Sequence, residues 1–112
     1  MTRQLAISVL KKNRRLFKTA YLFGSVARDE GDEYSDADVI LVRDSSKDFF
    51  HRVTEVMDIV NDFGAVDLLI YTPEEFARMR ETDGFVANVV EEAVEIEGQQ
   101  EGSRTVVPPI GE

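Results

Sequence analysis

Three aspartates lie where the surrounding sequence predicts strands, and they are the residues of this chain best placed to do chemistry. Asp36 and Asp38 precede the apolar run 39–42 and stand two residues apart, so they project from one side of an extended segment. Asp67 interrupts a second apolar run, 65–71. Because like charges repel and partial burial makes each charge more costly, this set indicates that a cation neutralises it.

The chemistry of these side chains indicates which cation that is. Hard carboxylate oxygens without Cys or His beside them favour Mg²⁺, or Mn²⁺. If the two strands pair, Asp67 comes to lie beside Asp36 and Asp38 and completes a set of three carboxylates. Three carboxylates around one or two divalent ions are typical of phosphoryl or nucleotidyl transfer, with the third carboxylate as a base or a further metal ligand.

Each aspartate also has a simpler interpretation when it is taken singly. Asp36 can be an exposed turn residue, and Asp38 can accept a hydrogen bond from a turn amide. Asp67 can form an ion pair with Arg43 or with a base of the first helix. The combination favours the metal site, since three independent structural explanations would otherwise be needed.

The dipeptide Gly24-Ser25 directly follows a predicted strand and adds a second chemical feature. Glycine permits a tight turn and a close approach of the backbone to a ligand. A serine at a helix start offers a hydroxyl beside free N–H groups, which suits a phosphate. When Gly24-Ser25 is considered alone, the simpler interpretation is a turn followed by a helix cap. Nearby, Arg28 can either reach a phosphate or pair with Asp29 or Glu30.

The elements that must position these residues are three apolar strands separated by helices. The periodicity predicts strands over 17–23, 37–42 and 65–71, and helices over 3–15, 45–63, 73–80 and 84–92, with a short edge strand over 93–96. This order predicts an α/β (α+β) fold in which a mixed β-sheet is flanked by helices. We expect residues 1–97 to form the domain and residues 98–112 to form a flexible tail.

Composition limits the possible classes of protein. The chain has 112 residues, 43% of them hydrophobic and 31% charged, with no cysteine, which predicts one globular domain without disulfides. There is no apolar run of roughly 20 residues and no signal-peptide pattern, so a cytoplasmic protein that spans no membrane is expected. The net charge of −9 argues against a nucleic-acid partner.

The charge is distributed unevenly along the chain. The first 28 residues hold seven bases and no acid. These bases are Arg3, Lys11, Lys12, Arg14, Arg15, Lys18 and Arg28. A solvated helix face explains such a run, and an anionic ligand near the first segment is the alternative.

The run LFGSVARDEGDEYSDADVILV, with VDLLIYTPEEF downstream, resembles the nucleotidyltransferases of the DNA polymerase β superfamily. More narrowly it is similar to the minimal nucleotidyltransferase domains, over about residues 18–96. The matching positions are Gly24, Ser25, Ala27, Arg28, Ser35, Asp36, Asp38 and Asp67. The resemblance implies the polymerase β-like fold, with Gly24, Ser25, Arg28 and Ser35 at the triphosphate of ATP or another NTP. It also implies Asp36, Asp38 and Asp67 as catalytic carboxylates and metal ligands.

The resemblance further implies a protein partner. Many minimal nucleotidyltransferase domains are encoded beside a helical protein of the HEPN type and act as its antitoxin, in some cases by transferring AMP to a tyrosine. We therefore expect a Mg²⁺-dependent transfer of a nucleoside monophosphate, AMP from ATP, to a hydroxyl of such a partner. The sequence leaves homodimer formation open.

One position departs from the family's pattern and motivates an alternative function. Glycine commonly follows the Ala-Arg pair, whereas this chain has Asp29, with Gly31 two residues later as a substitute for the turn. If Asp29 faces the triphosphate, its charge repels it. The alternative is a catalytically weak or inactive binding module that neutralises or regulates a HEPN-type partner by contact. A nucleotide sensor without turnover is a third interpretation.

Overall fold

The computed structural model describes residues 1–32 and 34–100, which fold around a four-stranded sheet. The strands are β1 (Thr19–Phe23), β2 (Ala37–Val42), β3 (Val66–Tyr71) and β4 (Val94–Glu97), in the spatial order β3-β2-β1-β4. Strand β1 runs antiparallel to β2 and β4, and β2 runs parallel to β3. The sheet is therefore mixed, which confirms the predicted fold class.

The helices connect these strands and flank the sheet. They are α1 (Arg3–Lys12), α2 (Gly24–Ala27), α3 (Met57–Phe63), α4 (Pro73–Thr82) and α5 (Gly84–Glu92), with 3-10 helices over Arg14–Leu16 and Phe49–Glu55. Within residues 1–32 and 34–100, no helix has the length and apolar character needed to cross a membrane.

The sheet is packed on both faces, because successive side chains of a strand point to opposite sides. One face carries Leu22 and Leu41 against the α1 and α3 residues of the larger hydrophobic cluster. The other face carries Tyr21 and Ile40 against Phe76 of α4 and the valines of α5. The unbroken apolar run 39–42 of β2 follows from this arrangement, since β2 is a central strand that is buried on both faces.

The segment predicted as one helix over 45–63 is instead two shorter pieces. A 3-10 helix, Phe49–Glu55, begins at Asp48, whose side chain accepts from the His51 N–H, and α3 begins after Val56. The first piece is fixed against β3 by the buried Arg52, which donates to the backbone oxygens of Lys47 and Ile70. These anchors, together with β-branched residues that weaken an α-helix, account for the break.

The chain stays bonded to the domain just after β4. The Gly98 N–H donates to the Lys18 oxygen at 2.7 Å and the Gln99 N–H to the Arg14 oxygen at 2.8 Å. The Gln100 side chain exchanges two hydrogen bonds with the Asp44 backbone. The remainder of the predicted tail, residues 101–112, lies outside the described residues, and the division at residue 97 stays a prediction.

Candidate active site

The candidate site forms where β1 ends and β2 begins. Because these strands are antiparallel, the last residue of β1, Phe23, pairs with Asp38 of β2. The chain then leaves β1 through Gly24 and enters the four-residue helix α2 at once. The Gly24-Ser25 turn and the Ser35–Asp38 segment are therefore neighbours, although residues 26–34 separate them along the chain.

Gly24 is required at this turn for two reasons. Its φ of +78° lies in the left-handed region, where a Cβ is strained. In addition, a Cβ at this position would fall on the Oδ2 atom of Asp38. The backbone of residue 24 and the carboxylate of residue 38 are thus packed against each other, and only glycine leaves room for both.

Asp38 also lies beside Asp67, because β2 and β3 pair in parallel with these two residues in register. Burial raises the pKa of the Asp38 carboxyl, and the hydrogen bond and negative charge of Asp67 raise it further. The adjacency of Asp38 and Asp67 expected from strand pairing is therefore present.

Asp36 and Ser35 are placed less tightly than these two aspartates. Asp36 is exposed before the start of β2, and its charge also raises the pKa of Asp38. The Ser35 hydroxyl bonds to the N–H and the side chain of Asp32 and so orders the preceding loop. No three acidic or histidine side chains in residues 1–32 and 34–100 converge as a ready metal site. The three-carboxylate metal site therefore remains a prediction.

The donor set nevertheless fits a hard divalent cation. Among the described residues, Asp67 has no ion pair, because Arg43 pairs with Glu55 and donates to the Leu16 oxygen. Two bases of the first helical segment pair with acids of α3, as Lys12 pairs with Asp62 and Arg15 with Asp58. Two adjacent carboxylates without a basic partner, and with only oxygen donors, match the ligands that Mg²⁺ prefers.

The sequence predicted that Gly31 replaces the glycine that usually follows the Ala-Arg pair, and the structure shows a different arrangement. Asp29 takes the left-handed conformation, with φ of 61°, whereas Gly31 does not. Aspartate tolerates this conformation better than most residues, which explains how the chain turns here without the usual glycine. Arg28 pairs with Glu30 at 2.9 Å, so of the two roles considered for it the ion pair is the one present.

Comparison with known proteins identifies the family. The sequence profile of the polymerase β nucleotidyltransferases matches residues 4–101, which is most of the chain. The chain belongs to the polymerase β nucleotidyltransferase family. No curated protein matches it significantly.

Solved structures with a similar fold lie at low sequence identity. One is a toxin–antitoxin with AMP-PNP, 18% identical over 89% of this chain and 76% of that one, with a TM-score of 0.50. A Sulfolobus solfataricus protein provisionally described as a nucleotidyltransferase is 22% identical over 89% and 79%, with a TM-score of 0.49. A mutant of the toxin–antitoxin MntA-HpeT is 16% identical over 89% and 76%, also with a TM-score of 0.49.

Membership of the polymerase β nucleotidyltransferase family gives the paired carboxylates a chemical context. The family generally uses a nucleoside triphosphate and a divalent metal. In this family member the Gly24 turn, Asp38 and Asp67 come together through strand register, from three separate parts of the sequence.

A small pocket beside the turn was missed by the sequence analysis. It has a volume of about 160 Å³ and is lined by Phe23, Gly24, Arg28, Phe85, Asn88, Val89 and Glu92. Four of these residues lie on α5 at helical spacing, so they share one face of that helix. The spacing was visible in the sequence, but nothing in it indicated that α5 packs beside Gly24.

Proposed function

We propose that this protein is a Mg²⁺-dependent nucleotidyltransferase that transfers AMP from ATP to a hydroxyl group of a partner protein. The observation that carries the proposal is the placement of the Asp38–Asp67 pair directly against the Gly24 turn. Two carboxylates that repel each other lower the unfolding free energy, and such pairs are typical of sites where a bound ligand offsets the repulsion. The family match supports the same chemistry.

In the proposed reaction an acceptor hydroxyl oxygen attacks the α-phosphorus of ATP. The bond between the α-phosphorus and the bridging oxygen breaks, and pyrophosphate leaves with that oxygen. Asp67 accepts the proton of the hydroxyl, because it is the more exposed carboxylate of the pair. Asp36, Asp38 and Asp67 would hold Mg²⁺, which supplies charge stabilisation at the phosphoryl oxygens when bound.

The triphosphate is assigned to the opposite side of the same turn. Ser25 offers a hydroxyl that makes no hydrogen bond within the described part of the chain. Arg28 would contribute a positive charge once its exposed ion pair with Glu30 opens, which costs little. Ser35 would act by ordering the loop that leads to Asp36.

We further propose that the acceptor belongs to a HEPN-type partner and that the protein acts as its antitoxin in the cytoplasm. The fold likeness to a toxin–antitoxin with AMP-PNP supports a protein partner and an adenine nucleotide. A second candidate function is neutralisation of the partner by contact alone. It is favoured by the negative charges of Asp29, Glu30 and Asp32 close to the Gly24-Ser25 turn, because these charges would repel a triphosphate.

The test uses the full chain, a HEPN-type protein encoded beside its gene, and ATP labelled on the α-phosphate. We expect label on the partner only with Mg²⁺, and none with EDTA or with the Asp36→Asn/Asp38→Asn double variant. An Asp58→Asn variant, which changes an exposed aspartate of α3, serves as the matched control. Transfer by the double variant would contradict the proposal, and protection of the partner in EDTA would favour neutralisation by contact.

A further inference from the structure

The pocket between α5 and the Gly24 turn has the character of a site for a flat ring. Phe85 is 48% exposed and meets Phe23 edge to face, with their ring centroids 5.7 Å apart. The volume of the pocket, about 160 Å³, is below the ~300–1,000 Å³ of pockets that enclose whole drug-sized ligands. It would therefore hold one ring system of a larger ligand.

The pocket is continuous with the candidate active site through Gly24 and Arg28. Gly24 lines the pocket and is also packed against the Asp38 carboxylate. Arg28, one turn further along, lines the pocket as well and carries the positive charge of the phosphate side. A nucleotide with its phosphates at this turn would thus have its base beside Phe85.

Two polar residues of the pocket, Asn88 and Glu92, lie on the same face of α5. Asn88 and Glu92 are one helical turn apart, and the Asn88 carboxamide makes no hydrogen bond in residues 1–32 or 34–100. A carboxamide presents a donor and an acceptor side by side, which matches the N6 amino group and a ring nitrogen of adenine. A carboxylate accepts from an exocyclic amino group and repels the carbonyl oxygen that guanine has in its place.

We infer that this pocket binds the nucleobase of the nucleotide and selects adenine, with Phe85 as the stacking surface and Asn88 and Glu92 as the groups that read the base edge. This inference rests on the proposed function, because it places the phosphates at the Gly24-Ser25 turn. It deepens that function, because it assigns the pocket and the residues that recognise the base.

The first experiment separates the base pocket from the phosphate site. The chain has no tryptophan, so a Phe85→Trp variant reports on this position alone. With Mg²⁺ present, we expect ATP to quench its emission, whereas inorganic triphosphate binds, as measured by calorimetry, without quenching. Calorimetry on the unmodified chain should show ATP binding more tightly than GTP.

Two substitutions then test the assigned roles. Phe85→Ala should weaken ATP binding at least about fivefold, with triphosphate binding unchanged, since stacking on an aromatic ring supplies much of base affinity. Phe85→Tyr should restore ATP binding, and Phe50→Ala, at another exposed phenylalanine outside this pocket, should change neither ligand. Asn88→Ala should reduce the preference for ATP over GTP at least about threefold.

The outcomes distinguish the inference from the proposed function. If triphosphate and ATP bind equally well to the unmodified chain and to Phe85→Ala, the base pocket is wrong while the phosphate site stands. If the preference for ATP over GTP is the same in Asn88→Ala as in the unmodified chain, the assignment of adenine recognition to Asn88 is wrong. If neither ATP nor triphosphate binds in Mg²⁺, both the inference and the proposed function fail.

Discussion

The Oδ2 atom of Asp38 occupies the space in which a Cβ on residue 24 would stand. Gly24 therefore has two roles: it forms the turn, and its lack of a side chain leaves space for the Asp38 carboxylate. This contact joins the end of β1 to the start of β2 at the point where Asp38 also meets Asp67.

Replacing Gly24 with alanine should damage binding more than stability. A second glycine, Gly64, has nearly the same φ, +80° against +78°, but open space where its Cβ would lie. Both alanine variants should lose about 1–2 kcal/mol of unfolding free energy from backbone strain. Only Gly24→Ala displaces the Asp38 side chain, so only it should abolish ATP binding in Mg²⁺. Calorimetry and urea unfolding of both variants measure this, and equal ATP affinities would refute it.

Magnesium alone should stabilise the protein through the aspartate pair. At tenfold excess over its Kd, a ligand of the native state adds about 1.4 kcal/mol to the unfolding free energy. We therefore expect Mg²⁺ to raise the Tm by several degrees. Asp38→Asn and Asp67→Asn should each raise the Tm without Mg²⁺, by relieving the repulsion, and should lose the response to Mg²⁺. Scanning fluorimetry with an extrinsic dye measures both, and a full Mg²⁺ response in either variant would exclude the pair as ligands.

Asp29 offers a test of whether its charge weakens nucleotide binding. Asp29→Gly removes the charge and the left-handed strain, while Asp29→Asn removes only the charge, because asparagine also tolerates this conformation. If charge is the cause, both variants should tighten ATP binding, by up to about fivefold at the ~1 kcal/mol typical of an exposed charge pair. Stability should change by less than about 1 kcal/mol in both. An ATP affinity that rises only in Asp29→Gly would instead identify backbone geometry as the cause.

The ion pair between the buried Arg52 and the partly exposed Glu75 should be more costly to break than an exposed ion pair. Arg52 is 5% exposed and donates to both carboxylate oxygens of Glu75, at 2.6 and 3.0 Å. Arg52→Met leaves that partly exposed carboxylate without its partner and should cost about 1.5–3 kcal/mol in urea unfolding. Breaking the exposed pair of Arg15 and Asp58 by Arg15→Met should cost no more than about 1 kcal/mol. Similar losses in both variants would contradict this ranking.

The Arg52–Glu75 pair also predicts how the unfolding free energy depends on pH. Hydrogen bonds from Arg52, supported by the Thr72 N–H of the capping box, lower the pKa of Glu75 from 4.5 to about 2. Because the folded-state pKa lies below the unfolded value, this stabilisation is complete above pH 4.5 and is lost as the pH falls toward 2. In Glu75→Gln, urea unfolding at pH 5 and pH 3 should show a smaller loss between the two pH values than the unmodified chain. An unchanged slope would show that other carboxylates cause it.

The sequence alone determined the strands, the start of α4 and the chemical types of the residues at the site. Alternation and apolar runs located β1, β2 and β3, because a strand places successive side chains on opposite faces whatever its neighbours are. The helix predicted over 73–80 begins at Pro73 in the structure, because its capping by Thr72 depends only on local backbone bonds. Asp38 and Asp67 were recognisable because a charge in an apolar run is costly without a partner.

Only the tertiary structure decided which residues meet. The parallel register of β2 and β3 sets Asp38 beside Asp67, and a shift of one residue would point the two side chains to opposite faces. The packing of α5 brings Phe85 and Asn88 to the Gly24 turn, and the fold of 49–55 brings Arg52 to Glu75. These contacts join residues far apart in the chain, so they depend on the summed packing of the core and not on any local pattern of residues.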